Sequence, residues 1–95
     1  LNLTSIVGVL DMQNVTNASG MVEYCSALEE VHIHNLGVDL NLSDSPNITH
    51  DCLVELINNL QTVTSTKTLT LGSTNLAKLT DAEKQVATDK GWTLA

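Results

Sequence analysis

The chain has 95 residues, 42% of them hydrophobic, 16% charged and 2% aromatic, which suffices for one small domain and excludes a second independently cored one. Eleven acids face four lysines and no arginine, a net charge of −7; residues 1–66 hold eight of the acids and no base, and the lysines begin at Lys67. Nucleic acid and anionic membrane surfaces are poor partners, since both need clustered cations, and no apolar run approaches the roughly 18 residues of a membrane-spanning helix.

Phe is absent, so the expected core is aliphatic, drawn from fifteen Leu, nine Val and four Ile. In chain order, the spacing Val7-x-Val9 predicts a short strand, and Asn14-Val15-Thr16 a turn after it. Met21, Tyr24, Cys25 and Leu28 recur at i, i+3, i+4 and i+7, the pattern of a short helix with one apolar stripe. Val31-His32-Ile33 reads as a strand of period two, and Leu40-x-Leu42 as another. Thr49 is placed to cap a helix that buries Leu53, Leu56, Ile57 and Leu60, with Ile48 and Leu53 as a hydrophobic staple. Val63-Thr64-Ser65 and Leu69-x-Leu71 are further expected strands. Thr80-Asp81-Ala82-Glu83 has the spacing of a capping box, Lys84 and Lys90 suit the middle and end of that helix, and Gly91 is placed to stop it before a last strand, Trp92-Thr93-Leu94.

These elements repeat. Residues 53–63 lie over 21–31 at an offset of 32, and Leu40-x-Leu42-x-Asp44 with Asn47-Ile48-Thr49 lies over Val7-x-Val9-x-Asp11 with Asn14-Val15-Thr16 at an offset of 33. Leu69-x-Leu71 with Asn75-Leu76-Ala77 echoes the same pattern. The expectation is α/β: a leucine-rich-repeat solenoid of about three units of roughly 30 residues, each with short strands and a short helix. Residues 1–95 then form a single domain, the C-terminal part of a longer protein, with 78–95 as its cap. Leu1 opens the chain with neither an initiator Met nor a basic leader.

Cys25-Ser26-Ala27-Leu28-Glu29-Glu30-Val31-His32-Ile33 resembles the C-x-x-L-x-x-[IV]-x-[IL] core of the BspA-like leucine-rich repeats. Asn14-Val15-Thr16-Asn17-Ala18-Ser19-Gly20-Met21 resembles their N-V-T-N-x-S-x-M stretch, and residues 67–80 with 90–94 look like the terminal segment of such proteins in gut bacteria and their phages. Val22 stands where Phe is usual, and the units are longer than the common repeat. The resemblance implies a non-enzymatic leucine-rich-repeat binding module for protein-protein interaction or adhesion at a bacterial cell surface. The alternative is a structural or receptor-binding part of a phage tail fibre or virion. Implied partners are a protein or surface-glycan ligand of a host or neighbouring cell, together with flanking repeats of the same chain.

Strand positions that alternate with the core form the expected open sheet face: Asn2 and Thr4, then Glu30, His32 and His34, then Thr62, Thr64 and Thr66. Glu30, His32 and His34 read first as a polar strand face, with a metal or pH-sensing site as the alternative. A zinc centre takes three or four ligands, and the neighbouring strands supply only Asn and Thr. Both histidines, at an ordinary pKa, would gain charge below about pH 6.5. Cys25 and Cys52 fall at opposite ends of successive expected helices, which favours two buried thiols over a disulfide. No nucleophile–His–acid set and no Gly-rich phosphate loop can be assembled, so no catalytic residue, metal or cofactor is expected. Five Asn-x-Ser/Thr sequons, at Asn2, Asn14, Asn17, Asn41 and Asn47, read mainly as turn chemistry.

Overall fold

Alternating and continuous apolar runs in a computed structural model, which describes residues 3–21 and 25–95, give five short strands and three helices. In order they are β1 (Ser5–Asp11), β2 (Glu30–His34), β3 (Leu40–Asn41), α1 (His50–Asn58), β4 (Lys67–Thr70), α2 (Gly72–Leu76), α3 (Asp81–Asp89) and β5 (Trp92–Leu94). All pairings are parallel. β1 pairs with β2 in one sheet, and β3, β4 and β5 lie side by side in another.

The starts of α1 and α3 follow their sequence signals. Thr49 caps α1 by accepting from the Cys52 N–H, and Cys52, Leu53, Leu56 and Ile57 are its buried face. Thr80 and Glu83 complete the capping box of α3, each side chain accepting from the other's backbone N–H. Gly91 follows α3 at φ 95°, and a Cβ there would come within 2.5 Å of the Val63 carbonyl oxygen, so this stop needs glycine both for its backbone angle and for close packing.

One aliphatic core joins the two sheets. Val31, Ile33, Leu36, Leu40, Leu42, Leu69 and Leu71 pack with the buried face of α1 and with Leu28, Ile48, Leu60 and Trp92. The radius of gyration is 12.1 Å and the extents are 36 × 29 × 19 Å.

The structure corrects the expected leucine-rich-repeat solenoid. A solenoid needs equivalent strands in one continuous sheet, whereas here the sheet that starts with β1 ends at β2 and a separate three-stranded sheet follows. The cause lies in residues 59–66. Asn35 donates to the Asn59 carbonyl, Gln61 to Leu36 O, and Val63 to Lys90 O, so this segment makes two backbone links to Asn35–Leu36 and one to Lys90, and is assigned to no strand. The expected strand Val63-Thr64-Ser65 is therefore irregular.

The units are unequal as well. The expected helix over 21–28 is not formed by its described residues: Leu28 N–H closes a turn on Cys25 O, and Tyr24 lies outside the described residues. Cys25 and Leu28 are nonetheless buried, so their spacing reported burial correctly and conformation incorrectly. α2 stands where no helix was expected. Its Asn75 is fully buried and donates to the carbonyls of Ser45 (3.0 Å), Leu71 (3.0 Å) and, more weakly, Leu42 (3.5 Å). This amide joins the loop after β3 to α2; Leu42 O also accepts from Ser45 N–H, so the amide matters most to the Ser45 and Leu71 carbonyls.

Two lysines tie loops to this frame. Lys78 Nζ donates to Pro46 O at 2.7 Å, Ile48 O at 2.6 Å and Asn75 Oδ1 at 3.0 Å. Lys90, expected to complement its own helix, instead reaches the end of α1 and donates to Ile57 O and Asn58 O. A cation at those carbonyls complements the negative end of the α1 dipole. Burial pushes both ammonium groups below the ordinary lysine range.

Candidate functional site

β2 carries Glu30, His32 and His34 on alternate positions, while Val31 and Ile33 between them are 2% and 0% exposed. That alternation was expected, and it puts the three polar side chains on one face. Beside them runs β1 in register, with Ser5 next to Glu30, Val9 next to His32 and Asp11 next to His34. Between Ser5 and Val9 the register slips, with β1 advancing four residues while β2 advances two. Gly8 lies inside this bulge at φ 93°. A bulge bends its strand and throws side chains outward; Val7 is 84% exposed and Val9 56%.

Glu55 of α1 completes the cluster. His32 Nδ1 donates to Glu55 Oε1 at 2.8 Å and His32 Nε2 to Glu30 Oε2 at 2.7 Å. His34 Nε2 donates to Glu55 Oε2 at 2.6 Å. A carboxylate only accepts, so the two contacts of His32 require protons on both ring nitrogens, an imidazolium held between two carboxylates. The Glu30 bond first, and then Glu55, raise the His32 pKa to about 9, above the ordinary value that the sequence suggested. His32 and His34 in turn hold the Glu55 carboxyl below its usual range. Asp11 is also lowered, chiefly by the amide of Asn35, which donates to it at 3.2 Å.

Glu55 was legible only as a polar position on the outer side of a helix. Its place over β2 depends on how α1 crosses that strand, and no local spacing records it. The expected threonine row does not join the site. Thr62, Thr64 and Thr66 are exposed on the irregular segment between α1 and β4, where Thr62 and Thr64 line a shallow depression of about 310 Å³ with Val63, Ser65 and Lys67. Thr4 is exposed just before β1, and Asn2 lies outside the described residues.

Among the described residues, no group of three or more His, Cys, Asp or Glu side chains is disposed to hold a metal ion. The carboxylates and imidazoles of the cluster are directed at one another. Cys25 and Cys52 are both buried as thiols. Trp92 is 3% exposed and donates its indole N–H to Gln61 O, so it offers no surface for stacking on a sugar. Asn17 and Asn41 accept from the backbone N–H groups of Ser19 and Ser43, the turn role that their sequons suggested. No described helix is long and apolar enough to cross a membrane.

The face built by β1, β2 and Glu55 thus joins an exposed valine pair to a row of mutually bonded charges. No protein-family model matches the chain, and neither the curated proteins nor the solved structures include a match to it.

Proposed function

We propose that this domain is a non-enzymatic interaction module that binds a protein partner through the open face of β1 and β2, serving adhesion at a bacterial cell surface. The observation that carries the reading is the exposure of Val7 and Val9, at 84% and 56%, directly beside the Glu30–His32–Glu55–His34 cluster. Interfaces commonly combine an apolar centre with a polar rim, and an ordered charge row restricts which partners fit. The four clustered side chains are locked by hydrogen bonds, so binding next to them orders little that is not ordered already. The adhesive setting rests on the resemblance of residues 14–33 and 67–94 to BspA-like proteins.

The test is capture of a protein from cell-surface extract by the immobilised domain, followed by purification of that protein and measurement of its affinity. Val7→Asp with Val9→Asp should remove binding, while Thr62→Ala with Thr64→Ala should leave it unchanged. If the threonine pair carries the affinity and the valine pair does not, the binding surface lies on the 59–66 segment and the reading fails.

A further inference from the structure

Among the described residues, β1 has a strand partner on one side only. Its inner edge pairs with β2, and no described strand lies along its outer edge. Backbone groups of successive strand residues turn to opposite neighbours. Met12 N–H donates to His34 O at 2.9 Å, which sets Met12 and Leu10 toward β2 and turns the N–H and C=O of Val9 and Asp11 to the open side. The bulge confines regular pairing to this part of the strand, and Gly8, with nothing within 4 Å of a Cβ placed there, leaves the approach clear. Natural proteins usually blunt such an edge with lysine, proline or a covering element. Here the edge carries Val7 and Val9 instead.

The surroundings say what kind of strand fits. Glu29 N–H and Glu30 N–H both donate to Thr4 O, so two glutamates stand at the start of β1, and Asp11 stands at its end. Of these carboxylates Glu30 shares His32 with Glu55, Glu29 and Asp11 are exposed near the two ends of the strand, and the first lysine in the sequence is Lys67. A second copy of this chain would bring the same acids to the contact and be repelled. We propose that β1 receives a basic, β-branched segment of a partner protein as an added strand, its amides bonding to Val9 and Asp11 and its cations facing the acids around the edge. This inference rests on the binding face described above and specifies how that face is used.

Short synthetic peptides test it on the intact chain: one alternating Lys and Val, one alternating Glu and Val, and a Lys/Val peptide N-methylated at every second amide. The Lys/Val peptide should bind and raise hydrogen-exchange protection at the Val9 and Asp11 amides by about tenfold or more, a separation that affinity measurements resolve readily. The Glu/Val and N-methylated peptides should each bind about tenfold more weakly or less. N-methylation keeps charge and apolar surface but removes donors, and it leaves the protein unaltered. Val9→Pro, tolerated where an edge N–H faces solvent, should weaken the Lys/Val peptide to the same extent. Equal binding of the N-methylated peptide, protection elsewhere in the chain, or no binding of any peptide overturns strand addition. If strand addition fails while the captured surface protein still depends on Val7 and Val9, the binding face stands and docks by side chains alone. If that dependence is lost too, both readings fall.

Discussion

The two sheets share one core but are finished differently. The three-stranded sheet is finished by polar side chains: Asn75 donates to the carbonyls of Ser45 and Leu71, Lys78 donates to those of Pro46 and Ile48, and Asp39 accepts from Thr68 N–H at the start of β4. The two-stranded sheet has no lysine near it in sequence and keeps its order by a carboxylate–imidazole cluster, with two valines left in water. Lys78 and the buried amide thus serve the three-stranded side, and the exposed valines lie on the acidic side. If the β1 edge receives a partner, as proposed above, it cannot also be covered, and the asymmetry follows.

If the sheets really share a core, emptying it from either side should cost alike. Ile33→Ala in β2 and Leu69→Ala in β4, both 0% exposed, should each destabilise by about 2 to 5 kcal/mol in a single cooperative transition. Chemical denaturation followed by both circular dichroism and Trp92 fluorescence checks this; separate transitions for the two sides would break the comparison.

Next in size is the buried amide. Asn75→Ala leaves the Ser45 and Leu71 carbonyls without that donor and should cost about 3 kcal/mol, the usual scale for unsatisfied buried polar groups. A cost no greater than that of an exposed site such as Thr74→Ala would mean that water satisfies those carbonyls equally well.

A smaller effect, about 1 kcal/mol, is expected for Lys90→Met, which removes the cation from the Ile57 and Asn58 carbonyls at the end of α1. Gln61→Ala should cost a similar amount, because its amide donates to Asn35 O at 2.7 Å and Gln13 O at 3.3 Å. Lys84→Met, with no described side-chain bond to lose, is the control and should stay within about 0.5 kcal/mol.

The acidic side should reveal itself through pH. Because the folded pKa of His32 is raised from 6.5 to about 9, its contribution to stability is complete below about pH 6.5 and is lost as pH rises through about 9. Glu55, lowered from 4.5, acts in the opposite sense, and its contribution disappears as pH falls below that value. The melting temperature should accordingly fall from pH 6.5 to 9, and Glu55→Gln should flatten that fall; an equal slope in the variant would sink the assignment. The smallest change is expected for Val9→Thr, within about 0.5 kcal/mol, since the 56% exposed side chain is hardly packed.

Much of the local structure is legible in the sequence. Thr49 and the Thr80–Glu83 pair announced their helices because capping is a matter of a few adjacent residues. The alternation of Glu30, His32 and His34 with Val31 and Ile33 was readable for the same reason. At Cys25 and Leu28 the same logic misled: apolar spacing of three is satisfied by a turn as well as by a helix when both residues reach the core. The candidate site was half readable, its β2 row visible and its Glu55 hidden, and the threonine row was assigned to a sheet that does not extend to it.

Sequence alone determined the aliphatic core, the division into an acidic part and a lysine-bearing part, the starts of α1 and α3, and which β2 side chains face outward. Each of these follows from composition or from spacing within about one turn or one pleat. Tertiary structure alone decided that the chain closes into two sheets, that Lys90 serves α1 and not its own helix, and that Glu55 clasps both histidines. Those outcomes depend on backbone links such as Val63 to Lys90 and on side-chain contacts spanning 21 to 33 residues. At such separations two segments meet only through the packing of everything between them, and repeat spacing does not determine whether an intervening segment pairs or turns away.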